Sequence, residues 1–77
     1  MKAHYQDPAQ IRRRRIEAGL TQEALAKQAK VSKAHISMIE RGAAGASAPL
    51  LSRLAEALRC ESADLMPPPG IPARATA

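Results

Sequence analysis

The chain has 77 residues and a formal charge of +5, with twelve Lys and Arg against seven Asp and Glu. That length allows one small domain, and the charge favours a polyanionic partner. Apolar residues make up 45% of the chain, yet Tyr5 is its one aromatic residue. The core must be aliphatic, and the modes that stack single-stranded bases on aromatic platforms are disfavoured, so duplex nucleic acid is the better partner.

The charge is uneven. Residues 1–46 carry nine Lys and Arg against four Asp and Glu, whereas residues 47–77 carry three of each. The lone Cys60 excludes an internal disulfide framework, and His4, His35 and Cys60 are too far apart to read as a metal motif. No run reaches signal-peptide or membrane-span length. A cytoplasmic protein without metal or cofactor is expected.

In chain order, residues 1–7 read as a flexible start. Asp7, Pro8 and Gln10 form a helix-opening pattern and Gly19 a left-handed stop, so a first helix is predicted over about residues 8 to 18. Thr21 caps a second helix, with Glu23 in its first turn and Leu20 and Leu25 as a hydrophobic staple. Ser32 repeats the device for a third helix, with Val31 and Ile36 as its staple. That helix runs to Glu40 or Arg41 and stops at Gly42. A small, glycine-rich loop follows. Ser47 and Pro49 open a fourth helix whose Leu51, Leu54, Ala55 and Leu58 form its core stripe. Residues 62–66 allow one more turn, and residues 67–77 read as a disordered Pro-rich tail. No segment alternates with strand period. The predicted fold is all-α with four to five short helices, folded over residues 8–66.

Residues 21–42 therefore contain two helices joined by Ala29, Lys30 and Val31, a helix-turn-helix arrangement. Ala26 offers the small side chain that a close helix crossing needs, Ile36 and Ile39 turn inward, and Leu25 and Val31 fill the angle.

Gly-Leu-Thr-Gln-Glu-Ala-Leu-Ala from Gly19, Val-Ser-Lys-Ala-His-Ile-Ser-Met-Ile-Glu-Arg-Gly from Val31 and Leu-Leu-Ser-Arg-Leu-Ala-Glu-Ala-Leu from Leu50 resemble the phage-repressor and Cro-like helix-turn-helix proteins, the XRE family. The resemblance spans residues 8 to 66. It implies a compact, lambda-repressor-like domain of four to five helices that binds duplex DNA as a homodimer. By position, Lys33, Ala34, Ser37 and Met38 match residues that face base edges. Thr21, Gln22, Ser32 and Arg41 match positions that contact phosphates, and His35, on the outer side of the same helix, is a further phosphate candidate. Arg15 and Glu40 match a partly buried ion pair between the first and third helices.

Some positions depart from the family pattern. Lys30 stands where Gly is usual, so positive φ is expected at a non-Gly residue. Arg14 replaces a common Leu, and residues 43–46 carry no Lys or Arg. Apart from Arg15, the arginine run reads as a solvated face whose members point in different directions, with DNA contact by Arg12 or Arg13 as the alternative. Cys60 is expected to pack as a small hydrophobe, and Leu65 to close the core and make a dimer contact. The function implied is a sequence-specific transcriptional regulator, a repressor on a palindromic operator. An antitoxin or restriction-modification controller with a protein partner is the alternative. No nucleophile sits beside a base and no phosphate-binding loop follows a strand, so no enzymatic step is expected.

Overall fold

Every α-helix begins at a side chain able to accept from the N–H groups that a helix start leaves unpaired, each such cap contributing about 1 kcal/mol. In the computed structural model, which describes residues 6–66, Asp7 accepts from the Ala9 N–H at 3.1 Å ahead of α1 (Pro8–Glu17). Thr21 Oγ1 accepts from the Ala24 N–H at 3.0 Å ahead of α2 (Gln22–Ala29), and Ser32 Oγ from the His35 N–H at 3.0 Å ahead of α3 (Lys33–Glu40). Ser47 Oγ accepts from the Leu50 N–H at 3.3 Å ahead of α4 (Ala48–Ala57). A 3₁₀ turn, Ser62–Leu65, follows, closed by a reciprocal capping box between Glu61 and Asp64. The described residues contain no strand. Gly19 and Gly42 stop α1 and α3 with φ of 75° and 77°.

The core is aliphatic. Ile11, Leu25, Ile36, Ile39, Leu54 and Leu65 are its largest fully buried side chains, each stabilising by about 1.5–3 kcal/mol relative to exposure. α2 packs on α3 and on α4, while α1 and the 3₁₀ turn close the two open sides. On α4 the buried stripe is Leu50, Leu54, Ala55 and Leu58, and Leu51 is only half-buried at its edge. Leu50 therefore replaces Leu51 in the expected stripe, because a four-residue step fits the helical repeat as well as a three-residue one.

Gln6 and Asp7 are firmly held, contrary to their expected place in a flexible start. The Gln6 side chain is buried, donating through Nε2 to the Ala44 carbonyl at 3.1 Å and accepting at Oε1 from the Ala46 N–H at 3.4 Å. The Asp7 N–H donates to the Leu65 carbonyl at 2.7 Å. One buried amide thus satisfies backbone groups of the small-residue loop before α4, which its own side chains cannot anchor. The rest of the expected start, with His4, and the expected tail at 67–77 lie outside the described residues.

Candidate nucleic-acid interface

Lys30 makes the sharp turn between α2 and α3. Its backbone is left-handed, with φ 62° and ψ 44°, and its N–H reaches the carbonyls of Ala26 and Lys27. The Val31 N–H closes the motif on the Ala26 carbonyl at 3.0 Å. Ala26 and Ala29 are buried, so the two helices approach with no bulky side chain on those positions of α2. From α4, Arg53 Nε donates to the Ala29 carbonyl at 2.8 Å and satisfies the C-terminal end of α2. Neither Arg53 nor Gln6 carries a local sequence signal, since each acts across more than twenty residues.

With Ile36 and Ile39 fully buried, the opposite side of α3 faces outward. Lys33, Ala34, Met38 and Arg41 are exposed there and Ser37 is half-buried, so all the positions expected to read bases lie together with one expected to contact phosphate. Met38, 39% exposed, is one of the two large apolar side chains open to solvent among the described residues. His35 departs from its expected exposed position. It is half-buried, and its Nε2 is shut from solvent without a hydrogen-bond partner, so that nitrogen is not presented to a phosphate.

α3 is locked to α1 and to the start of α2 through Glu40. Arg15 Nε donates to Glu40 Oε2 at 2.7 Å, and Arg15 Nη2 to Glu40 Oε1 at 3.2 Å. Gln22 Nε2 donates to Glu40 Oε1 at 3.1 Å, and Arg15 Nη1 to the Leu20 carbonyl at 2.8 Å. Exposure is only 13% for the Arg15 side chain and 3% for that of Glu40. The Gln22 amide nitrogen is therefore turned inward. What the start of α2 offers an anion is its backbone: Thr21 Oγ1 takes the Ala24 N–H, leaving the N–H groups of Gln22 and Glu23 without an acceptor among the described residues.

Arg12 and Arg13 of α1 line a groove of about 670 Å³ together with Arg41 from the end of α3. Neighbouring residues on a helix point about 100° apart, but the groove is wide enough to take both. Arg14 lies elsewhere, with Nε buried and unpartnered. Its charge is felt by Cys60, whose thiol is nonetheless pushed above its ordinary pKa because burial disfavours the thiolate. Cys60 packs against the core, as a small hydrophobe does. The described residues contain no group of three or more His, Cys, Asp or Glu able to hold a metal ion, and no helix long and apolar enough to cross a membrane.

α2, the Lys30 turn and α3 constitute a helix-turn-helix within an all-α, lambda-repressor-like fold. The helix-turn-helix family profile matches residues 11–65, and the chain belongs to that family, in its phage-repressor and Cro-like, XRE-type branch. Among solved structures it is similar to the P22 c2 repressor in complex with a synthetic operator. Identity is 34% over 77% of this chain and 89% of that one, with a TM-score of 0.74. It is also similar to the clp gene regulator ClgR from Corynebacterium glutamicum, at 34% identity over 75% of this chain and a TM-score of 0.73, and spans 62% of the ClgR chain. The restriction-modification controller protein C.AhdI from Aeromonas hydrophila is similar at 30% identity, with 77% of this chain and 89% of that one covered and a TM-score of 0.74. No curated protein matches the chain in sequence.

Proposed function

We propose that the chain is a sequence-specific duplex-DNA-binding transcriptional regulator, a repressor that acts as a homodimer on a palindromic operator and works in the cytoplasm without an enzymatic step. The observation that carries this reading is the single outward face of α3, on which Lys33, Ala34, Ser37, Met38 and Arg41 gather while Ile36 and Ile39 anchor the helix from behind. Eight residues of helix span about 12 Å, the width of the major groove. Lys33 then donates to guanine O6 and N7, Ala34 touches a thymine methyl, Ser37 bonds to either kind of edge, and Met38 adds apolar contact. The start of α2, with Thr21 and Gln22, and the ends of α3, with Ser32 and Arg41, meet the phosphates that fix the register. Through a ring nitrogen other than the enclosed Nε2, His35 is the weakest member of this set.

The likeness to a P22 repressor seen with a synthetic operator and to the regulator ClgR supports the reading. Likeness to C.AhdI supports a second one, a restriction-modification controller that binds DNA at its own promoter and also holds a protein partner. Selection of bound duplexes from a random library tests the main reading. A two-fold symmetric consensus with half-sites about 34 Å apart is expected, and recovery of no consensus refutes it.

A further inference from the structure

Three arginines of the α1–α3 groove take part in no ion pair among the described residues. Arg12, Arg13 and Arg41 line it beside Asp7, Glu17 and Glu40, but the one ion pair among the described residues is Arg15 with Glu40. Glu40 is further occupied by Gln22, and Asp7 accepts from the Ala9 N–H at the start of α1. Asp7 keeps its charge while it caps, and Glu17 is exposed and uncommitted. With Glu40 balanced by Arg15, Arg12, Arg13 and Arg41 face Asp7 and Glu17, three positive charges against two negative, so the groove is cationic by one charge, and it is continuous through Arg41 with the outward face of α3.

The loop that follows α3, which begins beside Pro8 at the start of α1, is different. Residues 42–47, Gly-Ala-Ala-Gly-Ala-Ser, hold no Lys or Arg. A helix lying across a major groove is flanked by phosphate backbones on both walls, and most of the affinity for DNA comes from neutralising them. On this chain that charge is available beside α3 from α1.

From these observations, and resting on the DNA-binding reading above, we infer that Arg12 and Arg13 bind the phosphodiester backbone along the wall of the major groove, continuing the contact begun by Arg41. The floor of the groove suits this ligand. Ile16, 52% exposed, is its main open apolar side chain, enough to lie against a deoxyribose. An acidic protein segment would need an apolar anchor and roughly 800 Å² of surface on each partner, which one isoleucine and a rim of arginines do not supply.

The test is the salt dependence of duplex binding by the full chain, comparing wild type, R12Q/R13Q and E17Q. Each phosphate contact contributes about 0.9 to the log–log slope, so R12Q/R13Q is expected to lower its magnitude by about 2 while leaving the ratio between selected and scrambled sites unchanged. E17Q removes the uncommitted carboxylate and is expected to bind more tightly at low salt, the gain closing as salt rises. A gain of binding cannot arise from misfolding. An unchanged slope in R12Q/R13Q overturns the inference, as does an E17Q protein that binds no better than wild type at low salt. If wild-type protein shows no preference for any sequence, the regulator reading fails, yet the slope on a scrambled duplex still decides the role of the α1 arginines.

Discussion

Replacing Glu40 with alanine removes the acceptor of three side-chain hydrogen bonds, two from Arg15 and one from Gln22, at a carboxylate only 3% exposed. Breaking one partner of a buried ion pair typically costs about 3–5 kcal/mol, because the remaining charge stays desolvated. Arg15, 13% exposed, keeps its bond to the Leu20 carbonyl, which points to the lower end, about 3 kcal/mol. A chain of 77 residues has about 4–12 kcal/mol of total stability, so E40A forfeits a quarter or more of it. At about 4–8 °C per kcal/mol for a domain of this size, Tm should drop by about 12–24 °C. Urea and thermal unfolding followed by far-ultraviolet circular dichroism measure this directly. Replacing both residues, as in R15M/E40M, should cost less than E40A alone, since no unpaired charge is left behind. A loss below about 1 kcal/mol for E40A, the value of exposed pairs, would refute the claim that this pair locks α3 in place.

Three further outcomes follow from particular contacts. Lys30→Gly should raise stability by about 0.5–1 kcal/mol, the relief of a left-handed backbone (about 1–2 kcal/mol) less the added entropy of glycine in the unfolded chain; a loss in the same urea series would contradict the strain at Lys30. Arg53→Ala should cost about 1–2 kcal/mol by leaving the Ala29 carbonyl without its charged donor, and a neutral effect would mean water replaces the guanidinium at no cost. Burial raises the Cys60 pKa, so near neutral pH iodoacetamide should alkylate Cys60 more slowly than an unfolded control peptide. By linkage, the stability this group contributes is full below the unfolded thiol pKa and is lost as pH rises through the raised folded value. Alkylation at the rate of the free peptide would contradict burial of the thiol.

Features set by local physics are legible in the amino-acid sequence. A helix cap joins residues two or three apart, so Asp7, Thr21, Ser32 and Ser47 could be read one by one, and Gly19 and Gly42 mark their stops through their own φ. The left-handed turn is expected through the family resemblance, because Lys30 stands where Gly is usual. The contacts that are not legible span the chain. Gln6 reaches loop residues 38 and 40 positions away, Arg53 reaches back 24 residues, and the enclosure of His35 Nε2 depends on packing that no periodicity reports. Arg59 is a second non-glycine residue at positive φ, 58°, with no Gly or Asn nearby to announce the turn. Leu50 and Leu51 differ only in which side of the stripe they flank, a rotation that the helical repeat alone leaves open. The Arg15–Glu40 pair was reachable through the family resemblance alone, as nothing in the spacing of those residues selects one arginine of four.

Base reading by the outward face of α3 depends above all on Lys33, the one expected base reader there able to donate twice to guanine. Operator affinity should be measured for wild type and Lys33→Ala against every single-base variant of the selected site. K33A is expected to lose about 1–3 kcal/mol on the preferred sequence and to relax discrimination at one base pair of each half-site, with the others unaffected. A variant that weakens every sequence equally, or that binds all of them as wild type does, would contradict base reading by Lys33.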